Sequence, residues 1–177
     1  MILVTGASAS GKSAFAEQLV MKSGRERRVY LATMIPWDEE CRKRIERHKR
    51  LRAEKRFETI ECPVDIEGAM LPKRCVVLLE CMSNLTANEL FRGDLVHNDV
   101  QAAEERIRRG IARLMETAGE LVVVTNEVFE DGEKYPEETE RYRRLLGRLN
   151  IWLAERAGTV YEVLCGIAVK VKQPGIT

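Results

Sequence analysis

The eight residues Gly6-Ala7-Ser8-Ala9-Ser10-Gly11-Lys12-Ser13 satisfy the spacing Gly-x-x-x-x-Gly-Lys-[Ser/Thr] at every fixed position. Each fixed type answers a chemical need. Gly6 and Gly11 permit turns that point successive backbone N–H groups inward, forming an anion nest at the start of a helix. Lys12 brings a point charge to β- and γ-phosphate oxygens, and the Ser13 hydroxyl is a candidate Mg²⁺ ligand. Ala7, Ser8, Ala9 and Ser10 complete the cradle, so all eight residues are candidate contacts for a nucleoside triphosphate. The bland alternative is a glycine-rich turn that matches by chance. A strand-like run, Ile2–Thr5, before the motif and an amphipathic stretch after it argue against chance. The motif names a ligand class but not a reaction.

Two further residues have types that suit such a ligand. Glu80 ends the run Arg74-Cys75-Val76-Val77-Leu78-Leu79-Glu80, where a buried-type strand leaves a sheet. Ligands sit at strand C-termini in open α/β sheets, and an acid there helps hold Mg²⁺, usually through water. A solvated acid at a strand exit is the competing interpretation. His48 lies in a charged stretch where Cys41, Ile45, His48 and Arg52 are spaced four, three and four apart, which places them on one helical face. Arg44 is one turn back. Like charge on both sides disfavours the imidazolium and favours a neutral, nucleophilic imidazole. Periodicity alone leaves His48 open between that role and a place on a solvated basic face. His97 sits in a loop before a helix cap at Asp99 and is assigned no role.

The elements that must position these groups follow from the apolar pattern. Runs at Ile2–Thr5, Arg28–Ala32, 75–80, 121–125 and 159–171 are mostly continuous rather than alternating, as in strands covered on both faces. The last run is broken near Gly166 into two strands. Helices are predicted at 12–22, 38–56, 84–92, 99–118 and 138–157. Strand and helix in alternation predict an α/β domain of the P-loop NTPase-like kind. It is a three-layer sandwich with a mainly parallel sheet and helices on both faces. Its 177 residues suit one domain.

Charge and cysteine usage narrow the partners. Net charge is +1, so no global field draws the chain to nucleic acid or membranes. Residues 42–56 nevertheless carry nine Lys or Arg against two Glu, and residues 127–140 carry seven acids against one Lys. That asymmetry suggests a local anion site. No aromatic residue lies between Arg42 and Arg56 to stack on bases, which argues against a nucleic-acid surface. The five cysteines are odd in number and form no Cys-x-x-Cys pair, so reduced thiols in a cytoplasmic protein are expected. No run approaches the length of a membrane span.

Taken in order, these motifs resemble the bifunctional adenosylcobinamide kinase/adenosylcobinamide-phosphate guanylyltransferase family of cobalamin biosynthesis. The resemblance runs nearly end to end. It covers Ile2-Leu3-Val4-Thr5-Gly6 and the phosphate loop, Tyr30-Leu31-Ala32-Thr33, and Arg44-Ile45-Glu46-Arg47-His48-Lys49. Leu78-Leu79-Glu80-Cys81, Val124-Thr125-Asn126-Glu127-Val128 and the stretch 147–150 complete it. It implies that His48 attacks the α-phosphorus of GTP, expels pyrophosphate and carries GMP as a phosphoramidate. It also implies nucleotide contacts at Ala32, Thr33, Met34, Lys49, Arg50, Leu51, Arg52, Glu61 and Glu80, with Ser13 and Glu80 at the metal. GTP, ATP and Mg²⁺ are the implied nucleotides and ion, and a corrinoid is the implied substrate. A sheet with one antiparallel strand and a homo-oligomer, a trimer, are implied as well.

The chain departs from the family pattern in places. The family loop usually reads Gly-Gly-x-Arg-Ser-Gly-Lys-Ser, whereas Ala7 and Ala9 stand here. The segment Phe129-Glu130-Asp131-Gly132-Glu133-Lys134-Tyr135-Pro136 is longer and more acidic than its counterpart. Tyr142-Arg143-Arg144 and Asn150-Ile151 replace Phe-Arg-Asp and Asn-Gln. A small-metabolite kinase without a covalent nucleotide, or a nucleotide-dependent switch, are the alternative functions for the same loop.

Overall fold

Strands covered on both faces have no place for polar alternation, and the apolar runs of this chain fold accordingly. The computed structural model describes residues 1–35, 39, 42–43, 46, 50, 54–92, 99–127, 135–173 and 175. Its strands are β1 (Ile2–Thr5), β2 (Arg28–Ala32), β3 (Phe57–Glu61), β4 (Val76–Leu79), β5 (Glu120–Val124), β6 (Thr159–Leu164) and β7 (Ile167–Lys172). The helices whose bounds are described are α1 (Lys12–Lys22), α2 (Met82–Leu90), α3 (Val100–Thr117) and α4 (Glu137–Arg156). All seven strands join one sheet in the order β3-β2-β4-β5-β1-β6-β7. Every pairing is parallel except β6 with β7.

Alternate side chains go to opposite faces, and each face has its own core. Val4, Val76, Leu78, Val122 and Val124 pack with Ala16 and Val20 of α1. Leu3, Val29, Leu31, Val77, Leu79, Leu121 and Val123 pack with residues of α2, α3 and α4. On that side α3 buries Ala103, Ile107, Ile111 and Leu114, and α4 buries Leu145, Leu146, Leu149 and Leu153. Those three- and four-residue spacings put one apolar stripe on each helix. Each fully buried Leu or Ile contributes roughly 1.5–3 kcal/mol, so the stripes, not intrinsic propensity, hold the helices to the sheet. The chain is the expected three-layer α/β sandwich, with the one antiparallel strand at its edge.

Three boundaries differ from the sequence-based expectation. Phe57–Glu61 is a strand that the apolar runs do not reveal. It has two apolar residues among five, pairs with β2 at the edge of the sheet and leaves Glu58, Thr59 and Glu61 exposed. The helix expected over 38–56 ends sooner: residues 54–56 form a turn, with Arg56 at φ 56°. The helix expected at 84–92 begins at Met82, because Cys81 takes the cap position and its sulfur accepts from the Asn84 N–H. The expected cap at Asp99 is present, its Oδ1 accepting from the N–H groups of Gln101 and Ala102 at 2.9 and 3.1 Å.

One buried acid ties the loop after β3 to α2 and α3. Glu89 is 2% exposed; its Oε1 accepts from the Asp65 N–H at 2.6 Å and its Oε2 from Arg106 Nε at 2.7 Å. Arg106 also donates to the Glu89 carbonyl at 3.0 Å. Glu89→Ala leaves the Asp65 N–H without its acceptor and the Arg106 guanidinium with the Glu89 backbone carbonyl alone. A loss of about 3 kcal/mol is expected, the low end for a broken buried pair because Arg106 is partly solvated. Thermal unfolding reads this as a midpoint lower by about 9 °C. A midpoint within a degree or so of wild type would mean that water replaces both contacts.

Candidate active site

The C-terminal ends of the parallel strands lie along one edge of the sheet, and the phosphate loop and the candidates that follow β2, β3 and β4 collect there. The loop from Gly6 to Ser13 joins β1 to α1. Gly6 (φ 149°), Ala9 (φ 59°) and Gly11 (φ 93°) have positive φ, which turns the backbone back on itself. A Cβ at Gly6 would stand 2.5 Å from the Val163 carbonyl oxygen of β6, so no other residue fits there without displacement. The β6–β7 turn holds the loop from the other side: the Gly166 N–H donates to the Ser10 carbonyl at 2.8 Å. Cys165 (φ 49°) and Gly166 (φ 83°) are the two central residues of that hairpin, the geometry that matches strand twist.

Inside the loop, Lys12 is 7% exposed and its Nζ donates to the Ala7 carbonyl at 2.8 Å. Burial pulls the ammonium below the ordinary lysine value, while Cys81 and then Glu127 act in the opposite direction. Ser10 Oγ is buried with no hydrogen-bond partner among the described residues. An ammonium turned onto its own loop and an orphaned hydroxyl are what a cradle built for an anion leaves when its donors face inward. Ser13 is exposed at the start of α1.

The other candidates line the same edge. Glu80 follows β4, half-buried, and its N–H donates to the Leu31 carbonyl at 3.3 Å. Ala32 closes β2 opposite Glu61 of β3, and the Cys62 N–H donates to the Ala32 carbonyl at 2.8 Å. Thr33 is fully buried; its hydroxyl donates to the Cys81 carbonyl at 3.1 Å. Asn88 of α2 donates to the carbonyls of Thr33 and Pro63 at 2.8 and 2.9 Å, fixing the exits of β2 and β3 together. Met34 is half-buried beside them. Glu80 stands two strands from the loop strand, and Glu61 stands four, about 19 Å at ordinary interstrand spacing. The candidates therefore share an edge but span most of it.

His48, Lys49, Leu51 and Arg52 lie outside the described residues, as do Cys41, His97 and 128–134. Arg50 is described as a helical, exposed residue.

Several groups at this edge carry no signal in their spacing. Glu127 follows β5, next to the loop strand, and its Oε1 accepts from the Thr5 hydroxyl at 3.0 Å. Asn126 Nδ2 donates to Ser83 Oγ at 2.8 Å, and Ser83 in turn meets the Tyr142 hydroxyl. Thr125 donates to Asn150 Oδ1 at 2.6 Å, while Asn150 Nδ2 reaches the Asn126 carbonyl at 3.2 Å. This network fixes the exit of β5 against α2 and α4. Burial pushes the Cys81 thiol and the Tyr142 phenol above their ordinary values, so both stay neutral near pH 7. The signal that marks Glu80, an acid at a strand exit, is equally available for Glu127.

The arrangement suits nucleotide chemistry. Among the described residues no three His, Cys, Asp or Glu side chains cluster to cage a metal. Ser13 and Glu80 are few, hard oxygen donors, the set that suits an ion arriving with phosphate oxygens and water.

The chain is similar to known proteins along nearly its whole length. Residues 2–171 match the family described as cobinamide kinase / cobinamide phosphate guanyltransferase. The bifunctional adenosylcobalamin biosynthesis protein CobU of Escherichia coli K12 is 36% identical over 183 residues, covering 97% of this chain and 99% of that protein. Its namesake from Salmonella typhimurium LT2 is 34% identical at the same coverage. Among solved structures, a DnaB-like replicative helicase superposes with a TM-score of 0.47 at 10% identity, over 92% of this chain and 46% of that one.

Proposed function

Because the chain belongs to the cobinamide kinase / cobinamide phosphate guanyltransferase family, an enzyme family, we propose that it phosphorylates adenosylcobinamide and then transfers GMP from GTP onto that phosphate through a guanylylated His48, in cobalamin biosynthesis. The observation that carries this reading is the near full-length match combined with an intact phosphate-loop motif, whose buried Lys12 and positive-φ turns suit a polyphosphate.

In the kinase step the acceptor hydroxyl oxygen bonds to the γ-phosphorus, and the nucleoside diphosphate leaves. In the second reaction an imidazole nitrogen of His48 bonds to the α-phosphorus, the α–β bridging bond breaks and pyrophosphate departs. An oxygen of cobinamide phosphate then attacks the same phosphorus and frees the imidazole. Lys12 and the loop N–H groups hold the β- and γ-phosphates, stabilising the charge that grows on the leaving group. Mg²⁺, held by Ser13 and Glu80 with phosphate oxygens, would neutralise part of that charge. Ala32, Thr33, Met34, Lys49, Arg50, Leu51, Arg52 and Glu61 complete the nucleotide contacts, with GTP or ATP as the γ-phosphate donor.

The reading takes in residues 1–177 as one domain of a cytoplasmic enzyme that works as a homotrimer. No described helix is long and apolar enough to cross a membrane. The exposed apolar residues Leu164, Ile167, Val169 and Val171 on the β6–β7 edge support contact with further copies of the chain.

Incubation with α-labelled GTP should leave an acid-labile, base-stable label on the protein that is absent from His48→Ala. Equal label on that variant would remove His48 from the mechanism. Transfer of γ-phosphate with no protein label at all would leave a kinase alone.

A further inference from the structure

Glu127 stands one strand from the phosphate loop, since β5 pairs directly with β1, as β6 with Glu162 does on the other side. Thr5, the last residue of β1, donates its hydroxyl to Oε1 at 3.0 Å and so fixes the carboxylate beside the point where the loop begins. Oε2 takes no hydrogen bond among the described residues. Glu127 is exposed, and its charge is felt at the Lys12 ammonium.

Beside it opens a cleft of about 360 Å³ between α4 and the exits of β1 and β5. Leu3, Ile151, Ala154 and Val160 make it mostly apolar, while Thr5, Thr125, Asn150 and Glu127 give it polar groups. That volume is near the lower end for small-molecule sites, enough for one arm of a substrate rather than a large ring system. The hydrogen bonds from Thr125 to Asn150 and from Asn150 to the Asn126 carbonyl tie α4 to the β5 exit beside this cleft.

We propose that this cleft receives the alcohol-bearing arm of the kinase acceptor and that Glu127 is the general base for its hydroxyl. The inference rests on the kinase half of the function proposed above. As the acceptor oxygen bonds to the γ-phosphorus, its proton passes to a Glu127 carboxylate oxygen. The bond from γ-phosphorus to the bridging oxygen breaks, and its electron pair leaves with the nucleoside diphosphate. Phosphoryl transfer needs an oriented, deprotonating acceptor more than covalent help from the protein. The guanylyl half needs no such base, because a neutral imidazole attacks through its lone pair and a phosphate oxyanion has no proton to lose.

The two halves therefore separate in one experiment on the full chain. Glu127→Gln should lower phosphorylation of adenosylcobinamide by about 100-fold in kcat, the ordinary contribution of a general base. The nucleotide KM and the label taken up from α-labelled GTP should stay at wild-type levels. Ala154→Leu, which fills the cleft away from Glu127, should raise the acceptor KM and leave the protein label unchanged. Wild-type kinase rates in Glu127→Gln would overturn the base role. Parallel loss of kinase activity and label would also overturn it, by making Glu127 a nucleotide-binding residue. An unchanged acceptor KM in Ala154→Leu would remove the acceptor from the cleft. Wild-type chain that neither phosphorylates the acceptor nor takes up label would sink the underlying function itself, a result distinct from all of these.

Discussion

Lys12→Met should lower both phosphoryl transfer and protein guanylylation by about 1000-fold, the scale at which a charge aimed at transferring or departing phosphates acts. The substitution keeps an unbranched side chain of similar reach and removes the ammonium. Lys12 is almost fully buried, so its charge works where water screens little, and burial already strains that charge. In the proposed chemistry the same ammonium faces the γ-phosphate while it is transferred and the pyrophosphate while it leaves. One substitution should therefore disable both halves together, unlike Glu127→Gln. The folded chain should tolerate it. The lost contact is one hydrogen bond to the Ala7 carbonyl, worth about 1 kcal/mol. Single-turnover rates with γ- and α-labelled GTP, beside a thermal melt, check the separation. Guanylylation that survives while phosphorylation fails would show that a second nucleotide site, away from this loop, feeds the histidine.

Gly6→Ala should act through the fold instead. The Cβ it adds would meet the Val163 carbonyl oxygen at 2.5 Å and Ser10 Oγ at 2.8 Å, and φ 149° is strained for any residue with a Cβ. The oxygen belongs to backbone paired in the sheet, where Val163 lies opposite Ala168, so it has little freedom to give way. Overpacking and backbone strain together should cost about 4 kcal/mol. At about 3 °C per kcal/mol for a chain of this size, the melting midpoint should fall by about 12 °C. Nucleotide protection against heat should vanish as well, since the loop can relieve the clash only by moving off β6. A midpoint near wild type with nucleotide protection intact would mean that β6 and the loop shift apart at little cost.

Local pattern makes much of the molecule legible. The loop from Gly6 to Ser13 is eight consecutive residues whose types are dictated by backbone geometry and phosphate charge, so no distant partner is needed to recognise it. The continuous apolar runs that become β1, β2, β4 and β5, and the stripes of α3 and α4, follow from burial on two faces or one. β3 is not legible, because an edge strand half open to water carries too few apolar residues to stand out. The acid at the end of β4 is readable as a ligand-facing group. The acid after β5 has the same local context, and nothing in that context says that it stands closer to the loop.

The difference between those two acids is strand order. Apolar runs reveal that strands exist, but their sequence of pairing depends on how helices cross the sheet, and nothing in a run's own period encodes it. The order places β5 between β4 and β1, so Glu80 stands two strands from the phosphate loop while Glu127 stands one strand away, joined to Thr5 across 122 positions of chain. It also brings the Cys165–Gly166 turn onto Ser10 and the Val163 carbonyl against Gly6. By itself the sequence determined the eight-residue phosphate-loop motif and the strand and helix that flank it. The tertiary structure alone decided which carboxylate, cleft and hairpin stand beside that loop, because those contacts are made by elements far apart in the chain whose meeting only the completed sheet dictates.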